Sequence, residues 1–171
     1  MRPSFSSTAS TLLSSPESRV WYRAIQTHFL ATALAIHHTA TTSSRFSSAT
    51  VASPGHQVLY LAEDPLVALL EVQALLGSPT TPGGIVPQEL TGDWRGYQLR
   101  GPTTTVTNPT GIAPTQDLGA ALYGVPKLEG FRTLSAKAPY QEILVVFPQK
   151  LEPGSKVSWF NPLARKTESL P

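Results

Sequence analysis

The chain has 171 residues, a formal net charge of +2 and no cysteine, and only 14% of its residues are charged. A length of roughly 100–200 residues predicts one domain. The lack of cysteine excludes a disulfide scaffold, a thiolate zinc site and a cysteine nucleophile. The weak charge, without any run of Lys and Arg, argues against nucleic-acid binding. No apolar stretch approaches the roughly 20 residues of a membrane span, so we expect a cytoplasmic protein.

The N-terminal third combines a polar beginning with a few short predicted elements. Residues 1–17 are rich in serine and threonine and predict a flexible tail. The folded region is expected to begin with the β-prone run Val20–Tyr22, and residues 26–38 have helical spacing. Residues 39–57, rich in Ser, Thr, Gly and Pro, predict a loop. The mostly apolar run Gln57–Ala62 predicts a buried strand.

The best-defined predicted element is a helix over residues 64–76. Asp64 can accept a backbone N–H as its N-cap, and Pro65 suits the first helical position because no donor is needed there. Gly77 and Pro79 are typical residues for ending a helix.

The second half of the chain predicts a mixture of strands and short helices. Strands and helices alternate without a regular βαβ pattern, which predicts an α+β fold rather than a doubly wound sheet. Residues 166–171 are expected to form a C-terminal tail. The predicted elements are weak strands at Ile85–Leu90 and Tyr97–Leu99, a helix at Asp117–Tyr123, and strands at Phe131–Ser135 and Glu142–Phe147.

Glu71 stands out because every helical neighbour is apolar. Val67 and Leu75 lie four residues away on the predicted helix, and Ala68 and Ala74 lie three residues away. Burying an unpaired carboxylate costs on the order of several kcal/mol. Glu71 is therefore expected to be paired, protonated or facing a cavity.

Arg23 and Arg45 are the candidate partners of Glu71, because both lie in sparsely charged segments before this helix. Such an arginine could form a structural ion pair, or it could bind phosphate beside an acid/base or sugar-binding carboxylate. The residues alone leave both interpretations open. The four histidines lack the spacing of a zinc site, and no Gly-rich phosphate loop or GxSxG motif is present.

Taken in order, several short motifs resemble the RES domain family, named after conserved Arg, Glu and Ser residues. The resemblance extends from Trp21 to Pro162. The motifs are VWYRA at Val20–Ala24, SRF at Ser44–Phe46, VLYL at Val58–Leu61, ALLEV at Ala68–Val72, TQDLG at Thr115–Gly119 and LSAK at Leu134–Lys137.

The resemblance implies a function as well as a fold. RES domains are toxins of bacterial type II toxin–antitoxin pairs, usually encoded beside an Xre-type antitoxin, and known members degrade NAD⁺ by hydrolysis or phosphorolysis. It thus implies a single ADP-ribosyltransferase-like α+β domain over residues 18–165, with mixed sheets and flanking helices. NAD⁺ would be the substrate rather than a cofactor, inorganic phosphate a candidate co-substrate, and an Xre-family antitoxin the protein partner. No metal is implied.

Matched motif by motif, the family's Arg, Glu and Ser correspond to Arg45, Glu71 and Ser135, which are the expected catalytic residues. By the same resemblance, Arg45, Arg23 and Tyr60 are expected to bind NAD⁺. Glu71 would stabilise positive charge on the ribose, and Arg45 with Arg23 would bind the diphosphate. Tyr60 would stack on the nicotinamide ring, and Ser135 would hold a phosphate or position the attacking group.

Two other functions remain open at this stage. The same fold could transfer ADP-ribose to a protein target, or the domain could be a catalytically inactive binding module in which Glu71 forms a structural ion pair. The sequence does not distinguish hydrolysis from phosphorolysis, and it leaves a homo-oligomer open.

Overall fold

In the part of the chain that the structure describes, nine strands form one sheet that carries two α-helices. The computed structural model describes residues 15–17, 19–25, 31–49, 53–75, 94–99, 101–105, 111–161 and 163–170. The elements are β1 (Ser15–Glu17), β2 (Val20–Ala24), β3 (Leu59–Ala62), α1 (Pro65–Leu75), β4 (Trp94–Leu99), β5 (Gly101–Thr105), α2 (Ile112–Tyr123), β6 (Gly130–Leu134), β7 (Glu142–Val146), β8 (Val157–Asn161) and β9 (Lys166–Leu170), with 3₁₀ turns at His37–Ala40 and Pro148–Lys150.

The order of strands in the sheet is β1-β5-β6-β7-β3-β2-β4-β8-β9. Neighbouring strands are antiparallel except β5 and β6, which are parallel. Among the described residues the sheet is mostly antiparallel, and β5–α2–β6 is the one unit in which a helix connects parallel neighbours. This mixed arrangement confirms the predicted single-domain α+β fold. None of the described helices is long and apolar enough to cross a bilayer.

The sheet has an apolar core on each face. The helix-side core lies under α1 and α2, and its members are Ala24, Phe46, Val58, Ala62, Val67, Ala68, Leu69, Leu118, Leu122, Leu128, Phe131, Ile143, Val145 and Phe147. The tryptophan-side core lies on the other face, and its members are Trp21, Ala33, Leu34, Ile36, Leu59, Leu61, Leu144, Val146, Val157 and Trp159.

β7 is apolar from Ile143 to Val146 because both of its faces are covered. Ile143 and Val145 point into the helix-side core, whereas Leu144 and Val146 point into the tryptophan-side core. Side chains alternate between the faces of a strand, so a strand covered on both faces needs a continuous apolar run. The strand predicted at Glu142–Phe147 is thus confirmed.

α1 begins as the sequence predicts. The backbone N–H of Leu66 donates to Asp64 Oδ1 at 2.7 Å, and Pro65 is the first helical residue. The predicted stop at Gly77 and Pro79 lies outside the described residues. α2 begins at Ile112, five positions before the predicted start.

Two further predictions differ from the structure or lie partly outside it. Of residues 26–38, the described residues 31–38 contain short turns rather than an α-helix. Thr39, within the 3₁₀ turn His37–Ala40, ties this segment to the residue before β3, because its hydroxyl donates to the Ile36 carbonyl at 2.7 Å and accepts the Val58 N–H at 3.1 Å. The strand predicted at Ile85–Leu90 lies outside the described residues, as does the predicted tail except for Ser15–Glu17, which form β1.

The residues predicted as a C-terminal tail, 166–171, instead contain the edge strand β9. The side chain of Asn161 builds the preceding turn, because its Oδ1 accepts the backbone N–H groups of Leu163 at 2.9 Å and Ala164 at 3.2 Å. Its Nδ2 also donates to Glu168 Oε1 at 2.8 Å. These side-chain bonds specify a hairpin that the polar composition of residues 166–171 does not indicate.

Candidate functional site

Arg45 lies at the tip of a tight turn, residues 44–47, which we call the Arg45 turn. Its ends are joined by two backbone hydrogen bonds, Ser44 N–H to Ser47 O at 2.8 Å and Ser47 N–H to Ser44 O at 3.4 Å. The next residue, Phe46, is fully buried in the helix-side core and packs edge-on against Phe131, with ring centroids 5.0 Å apart. The buried phenylalanine anchors the turn, while the Arg45 side chain stays half-buried.

Tyr60 of β3 forms hydrogen bonds to this turn. Its hydroxyl accepts the Phe46 N–H at 3.1 Å and lies 2.8 Å from Ser44 Oγ. Burial raises the pKa of Tyr60, so the phenol stays protonated at neutral pH and can donate to Ser44. The predicted stacking of Tyr60 on nicotinamide stays a prediction, since the contacts of its hydroxyl are with the Arg45 turn.

Glu71 and Ser135 meet on the helix side of the sheet. Glu71 lies on α1 and is half-buried, and Ser135 follows β6 directly and is 3% exposed. The Ser135 hydroxyl donates a hydrogen bond to Glu71 Oε1. It also accepts the backbone N–H groups of Lys137 and Ala138, each at 3.0 Å.

Arg45 reaches the same end of β6. Its Nη1 donates to the carbonyl oxygen of Leu134 at 3.2 Å, and Leu134 precedes Ser135. Burial lowers the pKa of Arg45, and the attraction of Glu71 opposes that shift. An arginine stays charged at neutral pH even so. The structure therefore brings together four of the five predicted site residues, with a carboxylate and a guanidinium facing one strand end.

The fifth predicted residue, Arg23, lies on the other face of the sheet. Side chains two apart on a strand share a face, and Trp21 points into the tryptophan-side core. Arg23 Nη1 donates to the carbonyl of Ala33, a member of that core, at 2.9 Å. Diphosphate binding by Arg23 remains a prediction, and the geometry does not group Arg23 with Glu71.

Sequence reasoning did not give a role to Gln116 on α2. Its Nε2 donates to Ser43 Oγ and to the Ser44 carbonyl, both at 2.9 Å. The available signal was the Gln-x-x-Gly spacing, because residues three apart share one face of a helix. Within the described residues, no group of three or more His, Asp or Glu side chains could hold a metal ion.

Comparison with known proteins places this arrangement in a family. A chain in the crystal structure of the M. tuberculosis MbcT–MbcA toxin–antitoxin complex has a similar fold, with a TM-score of 0.66 at 15% identity over 98% of this chain and 92% of that chain. No curated protein matches in sequence. The RES domain family model matches residues 20–159, a span that contains Arg45, Tyr60, Glu71 and Ser135. This chain therefore belongs to the RES domain family.

Proposed function

We propose that this protein cleaves the bond between nicotinamide and ribose in NAD⁺. The observation that carries the proposal is the pairing at the end of β6, where Ser135 bonds to Glu71 and Arg45 bonds to Leu134. Membership of the RES family supports the same reaction, through the resemblance that implies NAD⁺ as substrate.

Glu71 acts on the ribose. When the glycosidic bond breaks, positive charge develops on the sugar in an oxocarbenium-like transition state. A carboxylate fixed beside that sugar stabilises the charge, and it does so more strongly when partly shielded from water. Glu71 is half-buried and oriented by a hydrogen bond, which suits this task.

Arg45 binds the diphosphate. Its planar guanidinium presents donors in a fork that matches phosphate oxygens, and the contact with Leu134 leaves other donors available for a ligand. In the reaction the pyridinium nitrogen takes the bonding electron pair and leaves as neutral nicotinamide. The oxygen of water or of inorganic phosphate forms the new bond to the ribose carbon, and an attacking water releases its proton to solvent.

The test is nicotinamide release from NAD⁺ by purified protein, with and without inorganic phosphate. Glu71→Gln keeps the shape of the side chain and removes its charge, so we expect kcat to fall about 10²–10³-fold. Glu152→Gln is the matched control, because this exposed carboxylate lies outside the site and its loss should leave turnover unchanged.

The product distinguishes the reaction types. Free ADP-ribose indicates hydrolysis, and a phosphorylated ADP-ribose that forms only with phosphate indicates phosphorolysis. Folded wild-type protein that releases no nicotinamide under either condition would overturn the proposal. Nicotinamide release accompanied by ADP-ribose on a protein would favour protein modification instead.

We further propose an antitoxin as protein partner. The complex named for the structural neighbour contains a toxin and an antitoxin. Two large apolar side chains in the chain segment 134–140 are exposed, Leu134 at 45% and Tyr140 at 95%. An antitoxin that blocks the site should abolish nicotinamide release when it is added to the assay.

A further inference from the structure

We propose that Gln116 and Gly119 of α2 are positioning residues that determine NAD⁺ affinity through Arg45. The inference rests on the proposed function, because it assigns these residues an effect on a ligand that Arg45 binds. Neither residue needs to touch the substrate. Both act on the Arg45 turn.

Both amide hydrogens of Gln116 form hydrogen bonds with the segment that leads into this turn. One hydrogen goes to Ser43 Oγ and the other to the Ser44 carbonyl, each at 2.9 Å. Ser44 also contacts the hydroxyl of Tyr60 at 2.8 Å. The residue before Arg45 is therefore held from α2 on one side and from β3 on the other.

Gly119 lets the helix backbone touch the turn directly. A Cβ atom at this position would lie 2.0 Å from the Phe46 carbonyl oxygen and 2.8 Å from its carbonyl carbon. Real Cβ atoms do not approach so closely, so any larger residue would displace either α2 or the turn. Glycine is unfavourable inside a helix, and this contact supplies a physical reason for it here.

The position of the turn matters because the Arg45 side chain extends from its tip toward the end of β6, where we propose that it binds the diphosphate. Its guanidinium lies 5.0 Å from the Phe46 ring and 3.2 Å from the Leu134 carbonyl oxygen. Displacing the backbone of the turn would move the guanidinium away from the position in which its fork of donors matches the diphosphate oxygens, which weakens binding of NAD⁺. α2 therefore presents Arg45 to the diphosphate in a constant position.

The test is a double-mutant cycle on steady-state kinetics with NAD⁺. Gln116→Leu should raise KM about tenfold and change kcat less than about twofold, because the donors that fix Arg45 are lost while Glu71 is untouched. In an Arg45→Ala background, the same substitution should leave KM unchanged. A merely structural role would instead add to the effect of Arg45→Ala.

Gln149→Leu is the matched control. Gln149 Oε1 also takes part in two hydrogen bonds, accepting the Gln57 N–H at 3.1 Å and the Tyr123 hydroxyl at 3.3 Å, but it makes neither with the Arg45 turn. This substitution should leave KM unchanged. If Gln116→Leu fails to fold, Gln116→Glu replaces it, since that variant keeps the shape and loses both donors.

The outcomes separate the two proposals. An active wild type in which the KM effects of Gln116→Leu and Arg45→Ala multiply would overturn the positioning role alone. A wild type that releases no nicotinamide would overturn the proposed function and the inference together. Equal KM changes in the Gln116 and Gln149 variants would also contradict the positioning role.

Discussion

The hydroxyl of Ser135 has one proton and two lone pairs, and the structure occupies all three. The proton goes to Glu71 Oε1, and the lone pairs accept the backbone N–H groups of Lys137 and Ala138. A hydroxyl with this capacity filled has no donor left for a phosphate or an attacking water. The sequence-based expectation that Ser135 holds such a group stays a prediction, and these bonds favour a positioning role in which Ser135 orients the Glu71 carboxylate.

Ser135→Ala tests this role at the scale of one residue. Removing the hydroxyl frees the Glu71 carboxylate to rotate, so we expect kcat to fall about tenfold, with KM for NAD⁺ and for phosphate nearly unchanged. Steady-state kinetics with each substrate varied in turn measure both constants. Ser169→Ala, on exposed β9, is the control. A large rise in KM for phosphate would instead show that Ser135 binds the co-substrate.

At the scale of elements, the contact between α2 and the Arg45 turn depends on a glycine. Alanine is ordinarily preferred to glycine within a helix by about 1 kcal/mol. The predicted clash of a methyl group at Gly119 with Phe46 reverses this preference, because the obstructing atoms belong to the backbone.

We expect Gly119→Ala to lower the free energy of unfolding by about 1–3 kcal/mol, as overpacking does. Urea denaturation measures this change. The control is Gly124→Ala at the end of the same helix, where φ is −70° and the nearest atom would lie 3.3 Å from the new Cβ. That substitution should change stability by less than about 0.5 kcal/mol. If Gly119→Ala proved as stable as wild type, the backbone of α2 would not pack directly against the Arg45 turn.

Local signals predicted some of these elements well. The start of α1 follows from Asp64 and Pro65, and the course of β7 follows from its apolar run, because capping and burial act within a few residues. The hairpin that contains β9 was missed because its turn depends on the side chain of Asn161, whereas residues 166–170 are mostly polar.

The candidate site could be predicted only in part, because some of its contacts join residues that are far apart in the sequence. Glu71 stands out locally as a carboxylate among apolar helical neighbours. Its proximity to Ser135, 64 positions away, depends on how α1 and β6 pack, which periodicity does not indicate. The motif resemblance paired these residues, but it did not separate Arg23 from them. That distinction needed the side-chain alternation of β2.

At the scale of the whole molecule, an ion-pair network joins distant parts of the sheet. Arg19 Nη2 lies 2.7 Å from Glu142 Oε2, and its Nε lies 3.3 Å from Glu17 Oε1. Arg132 Nε lies 3.7 Å from Glu17 Oε2. The network therefore connects the edge strand β1 with β6 and β7, and Glu17 at its centre is only 3% exposed.

Glu17 makes the stability of the fold depend on pH. Burial alone would raise the pKa of Glu17, but hydrogen bonds from the backbone and side chain of Arg19 outweigh burial and lower it. A carboxyl group whose pKa is lower in the folded state stabilises the fold fully above its unfolded pKa, about 4.3. That contribution is lost as the pH falls through the lower pKa of the folded state.

Glu17→Gln should therefore lower the free energy of unfolding by about 1–2 kcal/mol at pH 7, and the deficit should shrink as the pH falls below about 4. Urea denaturation at pH 7, 5 and 3.5 measures the difference between variant and wild type. Glu152→Gln removes an exposed carboxylate instead and should show no such trend. A deficit that stays constant down to pH 3.5 would mean that packing of Glu17, rather than its charge, attaches β1 to the sheet. A shrinking deficit would mean that the ion pairs of Glu17 with Arg19 and Arg132 attach β1 to the sheet, independently of the site at the end of β6.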